Sequence, residues 1–296
     1  MQAATFESYC AAYDALKTNM RCTISNIFLD RHSLYESIKN KHCLQYAAEN
    51  SIFLLIPTHD IYYDCLYLSK NKENLTTDIA KLLSRYSVAM PIRCSIIGKE
   101  PLAGELSQIF EKKNFVLIKK LLRMELAKSE SKILEAMRSF ANEYRGQMSF
   151  AHEEDAEEIL SILLDNFDPV GDNIPELQNI REHIAKKNIA VLRQDGKIVS
   201  LHYFLVQHST LHALYDVTRK EYRGGNGFFM ALAVFVHDYF LAQGKRYTRL
   251  LGWRDAAKQK LLKHARKSNQ SSDGVVIYNM LWTSDGERNV QPEARP

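Results

Sequence analysis

The chain has 296 residues, enough for two domains of ordinary size and for a core that needs no disulfides or metals. Its composition, 46% hydrophobic and 25% charged, is typical of a soluble globular protein. The formal net charge is +4 with acids and bases interspersed, so we expect no nucleic-acid partner, although a small positive excess suits a phosphate-rich ligand.

All five cysteines fall in the first third of the chain, without a CxxC pair or a His at metal-ligand spacing. We therefore expect free thiols in a reducing compartment and no metal site. Residues 1–19 contain Glu7 and Asp14 and no apolar run, which is unlike a signal peptide. No stretch approaches the roughly 20 apolar residues that a membrane span needs. The sequence thus predicts a cytoplasmic protein without membrane contact.

The first half is predicted to alternate strands and helices from residue 51 onward. Strands are predicted at Ser51–Pro57, Tyr63–Ser69, Ile92–Gly98 and within Phe115–Leu126, and helices at Leu75–Tyr86 and Leu102–Lys113. A charged, helical connector follows at Ala127–Gln147. The pattern of elements matches that of the second half, which indicates an internal duplication. An unrelated α/β cap domain is the alternative.

The second half gives the clearer pattern. Helices are predicted at His152–Phe167, Glu176–Lys187, Gly227–Gln243 and Ala256–Lys267, and strands at Ile189–Arg193, Lys197–Val206, Thr210–Val217, Tyr247–Trp253 and Gly274–Trp282. Asp195-Gly196 is a hairpin signal between the first two strands, and Gly244 is placed to end the long helix. The order α-α-β-β-β-α-β-α-β predicts an α/β fold in which helices cover both faces of a mixed sheet.

One stretch of this half has the composition of an anion site. The glycine turn, residues 224–227, has three glycines in four positions between a strand and a long helix. Glycines permit a tight turn and leave main-chain N–H groups uncovered, and a helix N-terminus adds to their attraction for anions. A pyrophosphate is therefore a candidate ligand, with charge from Arg219, Lys220 or Arg223. A turn that serves only topology is the alternative that composition leaves open.

The residues around this turn resemble a known motif. Asp216-Val217, followed by Glu221-Tyr222-Arg223-Gly224-Gly225-Asn226-Gly227, is similar to the acetyl-CoA motif of the GNAT N-acetyltransferase superfamily. That motif is a strand ending in Val, a short turn, and Gln/Arg-x-x-Gly-x-Gly/Ala. With Val217 on the family's Val, the two signature glycines are Gly225 and Gly227. The resemblance extends from about Phe150 to Trp282, including the hairpin and the closing strand.

The resemblance implies two GNAT-like domains of α/β (α+β) class, each a mixed, mostly antiparallel sheet flanked by helices. We accordingly expect a degenerate first domain at 1–127, a helical connector at 128–147, an acyl-CoA-binding domain at 148–284 and a flexible tail at 285–296. The first domain has no glycine turn, since Lys70–Asn74 stands at the equivalent place. Its expected role is to wall the acceptor pocket or to mediate assembly, for example as a homodimer.

Two registers are open for the motif. In the preferred one Tyr222 stands where the family has Gln or Arg, with Arg219 and Arg223 out of register. The alternative puts Arg223 in that position but leaves Asn226 and Phe228 where glycine belongs. We prefer the first, because helix packing and close backbone approach need glycines more than they need one arginine.

By resemblance, the cofactor is acetyl-CoA or another acyl-CoA. Its pantetheine is expected along the end of the Thr210–Val217 strand and its pyrophosphate at Arg223–Gly227. A main-chain N–H is expected to polarise the thioester carbonyl, where negative charge develops. The candidate cofactor-binding residues are Tyr215, Asp216, Val217, Tyr222, Arg223, Gly224, Gly225, Asn226, Gly227 and Phe228.

Acyl transfer to an amine needs a base for the ammonium proton and an acid for the leaving thiolate. The family's acid is often a Tyr whose position here is Leu261 or Leu262, so the usual acid is missing. The candidate catalytic residues are Asp216 as the base, with His202 behind it, and Tyr278 on the closing strand; His264 is a further candidate. Since strand side chains alternate, only one of Tyr215 and Asp216 faces the cleft.

The loop Asp165–Glu176 contains four acidic residues, Asp165, Asp168, Asp172 and Glu176. By resemblance this region roofs the acceptor site, where clustered acids would attract a cationic amine. Capping of helix N-termini on a solvated loop is the alternative.

The sequence thus predicts an acyl-CoA-dependent N-acyltransferase that passes the acyl group directly to a small amine. A non-catalytic CoA-binding or interaction protein is the alternative that the missing Tyr favours. A tRNA-dependent aminoacyl transferase of the paired-GNAT type is a third. It would need an extended basic groove, and the intact glycine turn argues against it.

Overall fold

The computed structural model describes residues 1–18, 24–27, 29, 31–87, 89–126, 130–225, 227–245, 247–260, 262–263 and 270–284, with the side chains of residue 126 and residues 130–136 left out. Two units divide the chain: unit 1 is Met1–Lys120 with Val275–Pro296, and unit 2 is Leu121–Gly274. The predicted tail at 285–296, Asn226, and residues 261 and 264–267 of the predicted helix Ala256–Lys267, which include His264, lie outside the described residues. No helix of the described segments is long and apolar enough to cross a bilayer.

The elements follow in chain order. The strands are β1 (Gln2–Ala3), β2 (Ile24–Ser25), β3 (Leu44–Ala47), β4 (Ser51–Thr58), β5 (Tyr62–Ser69), β6 (Ile92–Lys99), β7 (Val116–Leu126), β8 (Met148–Phe150), β9 (Ile189–Gln194), β10 (Lys197–Gln207), β11 (Thr210–Thr218), β12 (Arg249–Asp255) and β13 (Gln270–Trp282). The helices are α1 (Phe6–Thr18), α2 (Arg31–Asn40), α3 (Lys72–Ser84), α4 (Leu102–Glu111), α5 (Glu130–Glu143), α6 (Ala156–Asn166), α7 (Leu177–Ala185) and α8 (Phe228–Ala242).

Unit 1 has a sheet in the order β1-β3-β4-β5-β6-β13, with β2 added alongside β5. All of these neighbours are antiparallel except β5 and β6, which run parallel and are joined through α3. The strands β4 and β5 are buried along most of their length, and α1 and α2 pack against one face of them. Helix α3 begins after Asn71, whose side chain accepts the N–H of Asn74 at 2.8 Å, as an N-cap does.

Unit 2 repeats this plan. Its sheet runs from residues 121–126 of β7 through β12, β11, β10 and β9 to β8, and only β11 and β12 are parallel. The parallel pair is again joined through a helix, α8. Helices α6 and α7 cover one face around Leu201, Tyr203 and Val217, and α5 and α8 cover the other around Phe204 and Leu211.

The predicted α/β (α+β) fold class is confirmed: each unit is a mixed, mostly antiparallel sheet flanked by helices. In the second half the predicted elements other than the helix at Ala256–Lys267 appear within a few residues of their expected bounds. Asp195 and Gly196 have φ values of 49° and 78°, the left-handed pair that a tight hairpin requires. In the first half, α1 and α2 precede the first predicted strand and had no counterpart in the prediction.

The last strand does not close the second domain as expected. Residues Val275–Trp282 of β13 pair antiparallel with Lys99–Ile92 of β6, so this strand completes the sheet of unit 1. The physical reason lies in β6, which pairs with β5 at residues 92 and 93 and needs a partner for the main-chain groups along its opposite edge. The apolar run at 275–282 identifies a buried strand, but it carries no information about which sheet edge receives it.

The predicted connector at 128–147 is part of unit 2. Helix α5 packs along α8, where the Tyr144 ring lies 4.9 Å from that of Phe228 and Arg138 forms a bidentate ion pair with Asp238 at 2.9 Å. Phe140 and Tyr144 of this segment therefore lie in or against the core of unit 2, while Arg138 and Glu143 are exposed.

Candidate functional site

The two parallel strands of unit 2 diverge at the middle of the sheet. They pair from Thr210–Arg249 to Ala213–Gly252. Beyond this point β11 continues beside β10 and β12 continues beside β7. We call residues 214–218 and 253–255 the unit 2 fork. Its base is formed by two small residues, because a β-carbon on Gly252 would lie 3.8 Å from that of Ala213.

A β-bulge lies at the base of this fork. Tyr203 pairs with Tyr215, but the next residue, Phe204, pairs with Ala213, so Leu214 is an extra residue in β11. A bulge leaves one residue out of the ladder and turns the strand locally. The main chain of β11 is therefore re-aimed at the base of the fork.

The side chains of β11 alternate between the two faces of unit 2. Val217 and Tyr215 belong to the core under α6 and α7, whereas Asp216 points toward α8. The Tyr215 hydroxyl donates to the carbonyls of Asp172 at 3.1 Å and Asn173 at 2.7 Å, which ties the acidic loop to the strand. Tyr215 is therefore a support for the loop that is predicted to roof the acceptor site.

Asp216 and His202 form a hydrogen-bonded pair on the α8 face. They are direct cross-strand neighbours, and His202 Nδ1 lies 2.6 Å from Asp216 Oδ1. A carboxylate in its ionised form only accepts hydrogen bonds, so it would place a proton on Nδ1, the tautomer whose lone pair is on Nε2. The imidazole stacks on Phe204 at 5.2 Å and meets the edge of Phe229, in the first turn of α8, at 5.7 Å. Two of the predicted catalytic residues thus lie together, beside the start of the long helix.

The positions of the turn require glycine for different structural reasons. Gly225 has φ = 101° and open space where a side chain would begin, so only its left-handed backbone requires glycine. Gly227 has φ = 67° and stands directly before α8, and a β-carbon there would lie 2.2 Å from Cδ1 of Phe140. Gly227 therefore serves the packing of α5 against α8 as well as the turn, while the surroundings of Gly225 remain open to a ligand. Gly224 is also left-handed and exposed.

The two arginines beside the turn are engaged in holding it. Arg223 donates from Nε to the Thr218 carbonyl at 2.9 Å and also donates to the Asn166 side chain. Arg219 donates to the Ile198 carbonyl at 2.6 Å and pairs with Glu158 at 2.7 Å. Their charges are thus fixed next to the glycine turn, with Arg223 the more exposed of the two.

A pocket of about 370 Å³ adjoins the turn on the side of Arg219. Its lining is of mixed charge and consists of Glu158, Lys197, Arg219, Glu221 and Tyr222. The Tyr222 ring lies 6.5 Å from that of Phe228 and packs with the core under α8. The position where the family has Gln or Arg is therefore used for packing.

Carboxylates of the acidic loop accept hydrogen bonds from the loop's own main-chain N–H groups. The Asp168 carboxylate accepts the N–H groups of Val170 and Gly171 at 3.1 and 3.0 Å, and Asp172 accepts the N–H of Asp168 at 2.9 Å. These two acids cap the loop rather than a helix N-terminus. Attraction of a cationic acceptor remains a prediction, for which Asp165 is the exposed member.

Tyr278, the third predicted catalytic residue, belongs to unit 1. Its hydroxyl donates to the Glu100 carboxylate and accepts from Lys120 Nζ at 2.8 Å. Lys120 also pairs with Glu100 at 2.8 Å. Burial and the bond to Glu100 raise the pKa of Tyr278, and the bonds from Lys120 and Tyr278 lower the pKa of Glu100. The hydroxyl is thus committed to a polar cluster that fastens β13 to its own unit.

The remaining candidates divide as follows. Leu262, at one of the two positions expected for the family's Tyr, is 4% exposed, while Leu261 lies outside the described residues. His212, a further histidine on β11, is half-buried, and burial followed by Arg123 and Arg249 lowers its pKa.

Two contributors to the site were not expected from the sequence. Ser200 donates from its hydroxyl to the Val217 carbonyl at 2.9 Å and bonds the Thr218 hydroxyl at 3.0 Å, which fixes the end of the fork. Phe140 packs onto Gly227 from α5. The spacing of Phe140 and Tyr144, four residues apart, was the available signal for an apolar helix face.

Comparisons with known proteins identify the fold. No family model and no curated protein matches the sequence. Among solved structures, a GCN5-related N-acetyltransferase from Sphaerobacter thermophilus is 9% identical over 95% of this chain and 94% of its own, with a TM-score of 0.54. A tandem GNAT protein from the clavulanic acid biosynthesis pathway is 9% identical over 95% and 97%, with a TM-score of 0.53. A GNAT-family acetyltransferase from Colwellia psychrerythraea is 11% identical over 94% and 97%, with a TM-score of 0.50. The chain therefore has the tandem GNAT fold that the motif implied.

Proposed function

We propose that the protein is an acyl-CoA-dependent N-acyltransferase that uses unit 2 to transfer an acyl group directly to a small amine. The observation that carries the proposal is the coincidence of two features on one strand. β11 forms one arm of a fork in the sheet, and the same strand runs into a glycine turn and the N-terminus of the 15-residue helix α8. One extended ligand with amides at one end and phosphates at the other fits both.

The fork suits the amide-containing arm of an acyl-CoA. Main-chain groups of a strand that has left its neighbour pair readily with an extended amide chain, as in strand addition. Ala213 and Gly252 leave room at the base for the thioester. The bulge at Leu214 turns the main chain of β11 at the same level, which supports the expected main-chain donor to the thioester carbonyl.

The glycine turn suits the pyrophosphate. The first N–H groups of a helix have no partner within the helix, and the helix dipole adds positive potential there. Residues 223–225 are exposed, and nothing lies within 4 Å of the side-chain position at Gly225. Arg223 is tethered beside the turn and adds a fixed positive charge.

The His202–Asp216 pair supplies the base in this proposal. Asp216 holds the proton on Nδ1, so Nε2 is the nitrogen that takes the proton of the attacking ammonium. The amine nitrogen then forms the C–N bond as the C–S bond breaks, and it releases its second proton to water. The leaving thiolate takes its proton from water, because the family's Tyr is replaced and Tyr278 is held by Glu100 and Lys120.

A non-catalytic CoA-binding protein is the second candidate. It is favoured by the buried Leu262 at a position where the family has its acid. Both candidates share the cofactor and differ in turnover.

Turnover with a panel of small amines separates them. The full chain is incubated with acetyl-CoA and each amine, and the free thiol of the released CoA is measured over time. The mass of the product is determined by mass spectrometry. The proposal predicts amine-dependent thiol release with an acetylated product, lost in His202→Gln. Binding of acetyl-CoA without release for every amine would establish the second candidate instead.

A further inference from the structure

Unit 1 contains a second fork of the same construction. Its parallel strands β5 and β6 pair only at Tyr63–Ile92 and Asp64–Arg93. Beyond these pairs β5 continues beside β4 and β6 continues beside β13. We call residues 65–69 and 94–99 the unit 1 fork. As in unit 2, the two arms follow a parallel pair that is joined through a helix.

A segment of the chain itself fills this fork. Residues Ile24 and Ser25 form β2, which pairs antiparallel with Ser69 and Leu68 of the β5 arm. The next residue, Asn26, is 5% exposed. We call residues 24–27 the plug.

Asn26 bridges the two arms through one carboxamide. Its Nδ2 donates to the Cys65 carbonyl of β5 at 2.8 Å and to the Ser95 carbonyl of β6 at 3.1 Å. Its Oδ1 accepts the N–H of Tyr67 at 2.7 Å, and its own N–H donates to the Tyr67 carbonyl at 3.2 Å. Three main-chain groups on two diverging strands are thus satisfied by a single side-chain amide.

These contacts define a recognition site for an amide. Buried main-chain N–H and C=O groups need partners, and leaving one unpaired is destabilising. We propose that the unit 1 fork is a binding site for an extended amide-bearing chain and that the plug is its built-in ligand, which closes the site to any ligand from outside. This inference is independent of the function proposed for unit 2.

Two thiols beneath the plug make its displacement measurable. Cys65 and Cys94 are both fully buried where the arms separate, and Asn26 Nδ2 lies 3.7 Å from Cys94 Sγ. Burial, followed by the neighbouring Cys65 thiol, raises the pKa of Cys94, so it reacts slowly while it is covered. Cys43 is equally buried in unit 1 but lies in the core under α1 and α2, so it reports general unfolding.

The test compares thiol modification in the full chain. Native protein is treated with methyl methanethiosulfonate, a small reagent without an amide, and each cysteine is followed by peptide mass spectrometry. Asn26→Gly is expected to accelerate modification of Cys65 and Cys94 by about 10-fold or more, with Cys43 unchanged. Free acetamide, which replaces the missing carboxamide, is expected to slow the two fork thiols again in this variant and to have no effect on the wild type.

Two control variants complete the test. Asn71→Gly removes an amide from the start of α3, outside the fork, and should leave Cys65 and Cys94 slow. Asn26→Asp still accepts from Tyr67 but no longer donates to the two carbonyls, so it should expose the fork thiols without a response to acetamide. If Cys43 accelerates in step with Cys94 in both Asn26 variants, or if neither fork thiol accelerates, the plug is ordinary packing and the proposal is overturned.

Discussion

The ring of Phe140 occupies the space that a side chain at Gly227 would need. A β-carbon at residue 227 would lie 2.2 Å from Cδ1 of that ring and 2.6 Å from Cε1. α5 and α8 are therefore held at a distance that only glycine permits, at the residue directly before α8. This contact distinguishes the roles of the two signature glycines, because no atom lies within 4 Å of a β-carbon placed on Gly225.

Gly227→Ala is predicted to destabilise unit 2 by about 1–3 kcal/mol, since it combines overpacking against Phe140 with a left-handed backbone. Phe140→Leu, which replaces the ring by a smaller side chain, should recover some of the lost stability. The measurement is a double-mutant cycle by denaturant unfolding, and a coupling of about 1 kcal/mol is expected. Strict additivity would mean that the ring and the glycine do not interact.

Asp216→Asn is predicted to lower kcat roughly 10- to 100-fold with little change in the affinity for acetyl-CoA. The reason is that the amide no longer stabilises the imidazolium form of His202. The control is His183→Gln, which also removes a histidine hydrogen bond, that to the Tyr203 hydroxyl at 2.7 Å, away from the α8 face. Steady-state kinetics across pH provide the measurement. An equal loss in both variants would assign the pair a structural role alone.

Glu100→Gln is predicted to destabilise the protein at neutral pH and to become harmless in acid. The bonds from Lys120 and Tyr278 hold the pKa of Glu100 below its ordinary value of 4.5. Its contribution to stability is therefore present above pH 4.5 and is lost as the pH falls through the lower, folded-state pKa. Thermal midpoints of both proteins against pH give the comparison, with the exposed Glu111→Gln as a control. A difference that stays constant from pH 7 down to acid would contradict this assignment.

The secondary structure of unit 2 was predictable because its signals are local. Asp195-Gly196, the run 210–217 and Gly244 each specify a turn, a strand or a helix end from a few neighbouring residues. The destination of β13 was not, because sheet-edge pairing joins residues far apart in the chain, such as Tyr278 and Ile96. The same limit applies to Asn26, whose partners are at residues 65, 67 and 95.

The pairing of His202 with Asp216 depends on one extra residue in β11. Counted back from the tight turn at His208 and Ser209, an unbroken ladder would place His202 opposite Tyr215. The extra residue Leu214 moves Asp216 into that position. Bulges depend on the packing of both faces of a sheet, so both residues were predictable as candidates but not as a pair.

Titration calorimetry with acetyl-CoA tests the central claim most directly. The full chain is compared with Gly225→Asp, which puts a carboxylate at the proposed pyrophosphate position, and with Gly244→Asp. Gly244 has φ = 70° and equally open surroundings but lies at the far end of α8, so it matches the backbone strain and the added charge. The account predicts binding to the wild type and to Gly244→Asp, and affinity about 10-fold or more weaker in Gly225→Asp. No binding to the wild type, or equal binding to all three proteins, would contradict it.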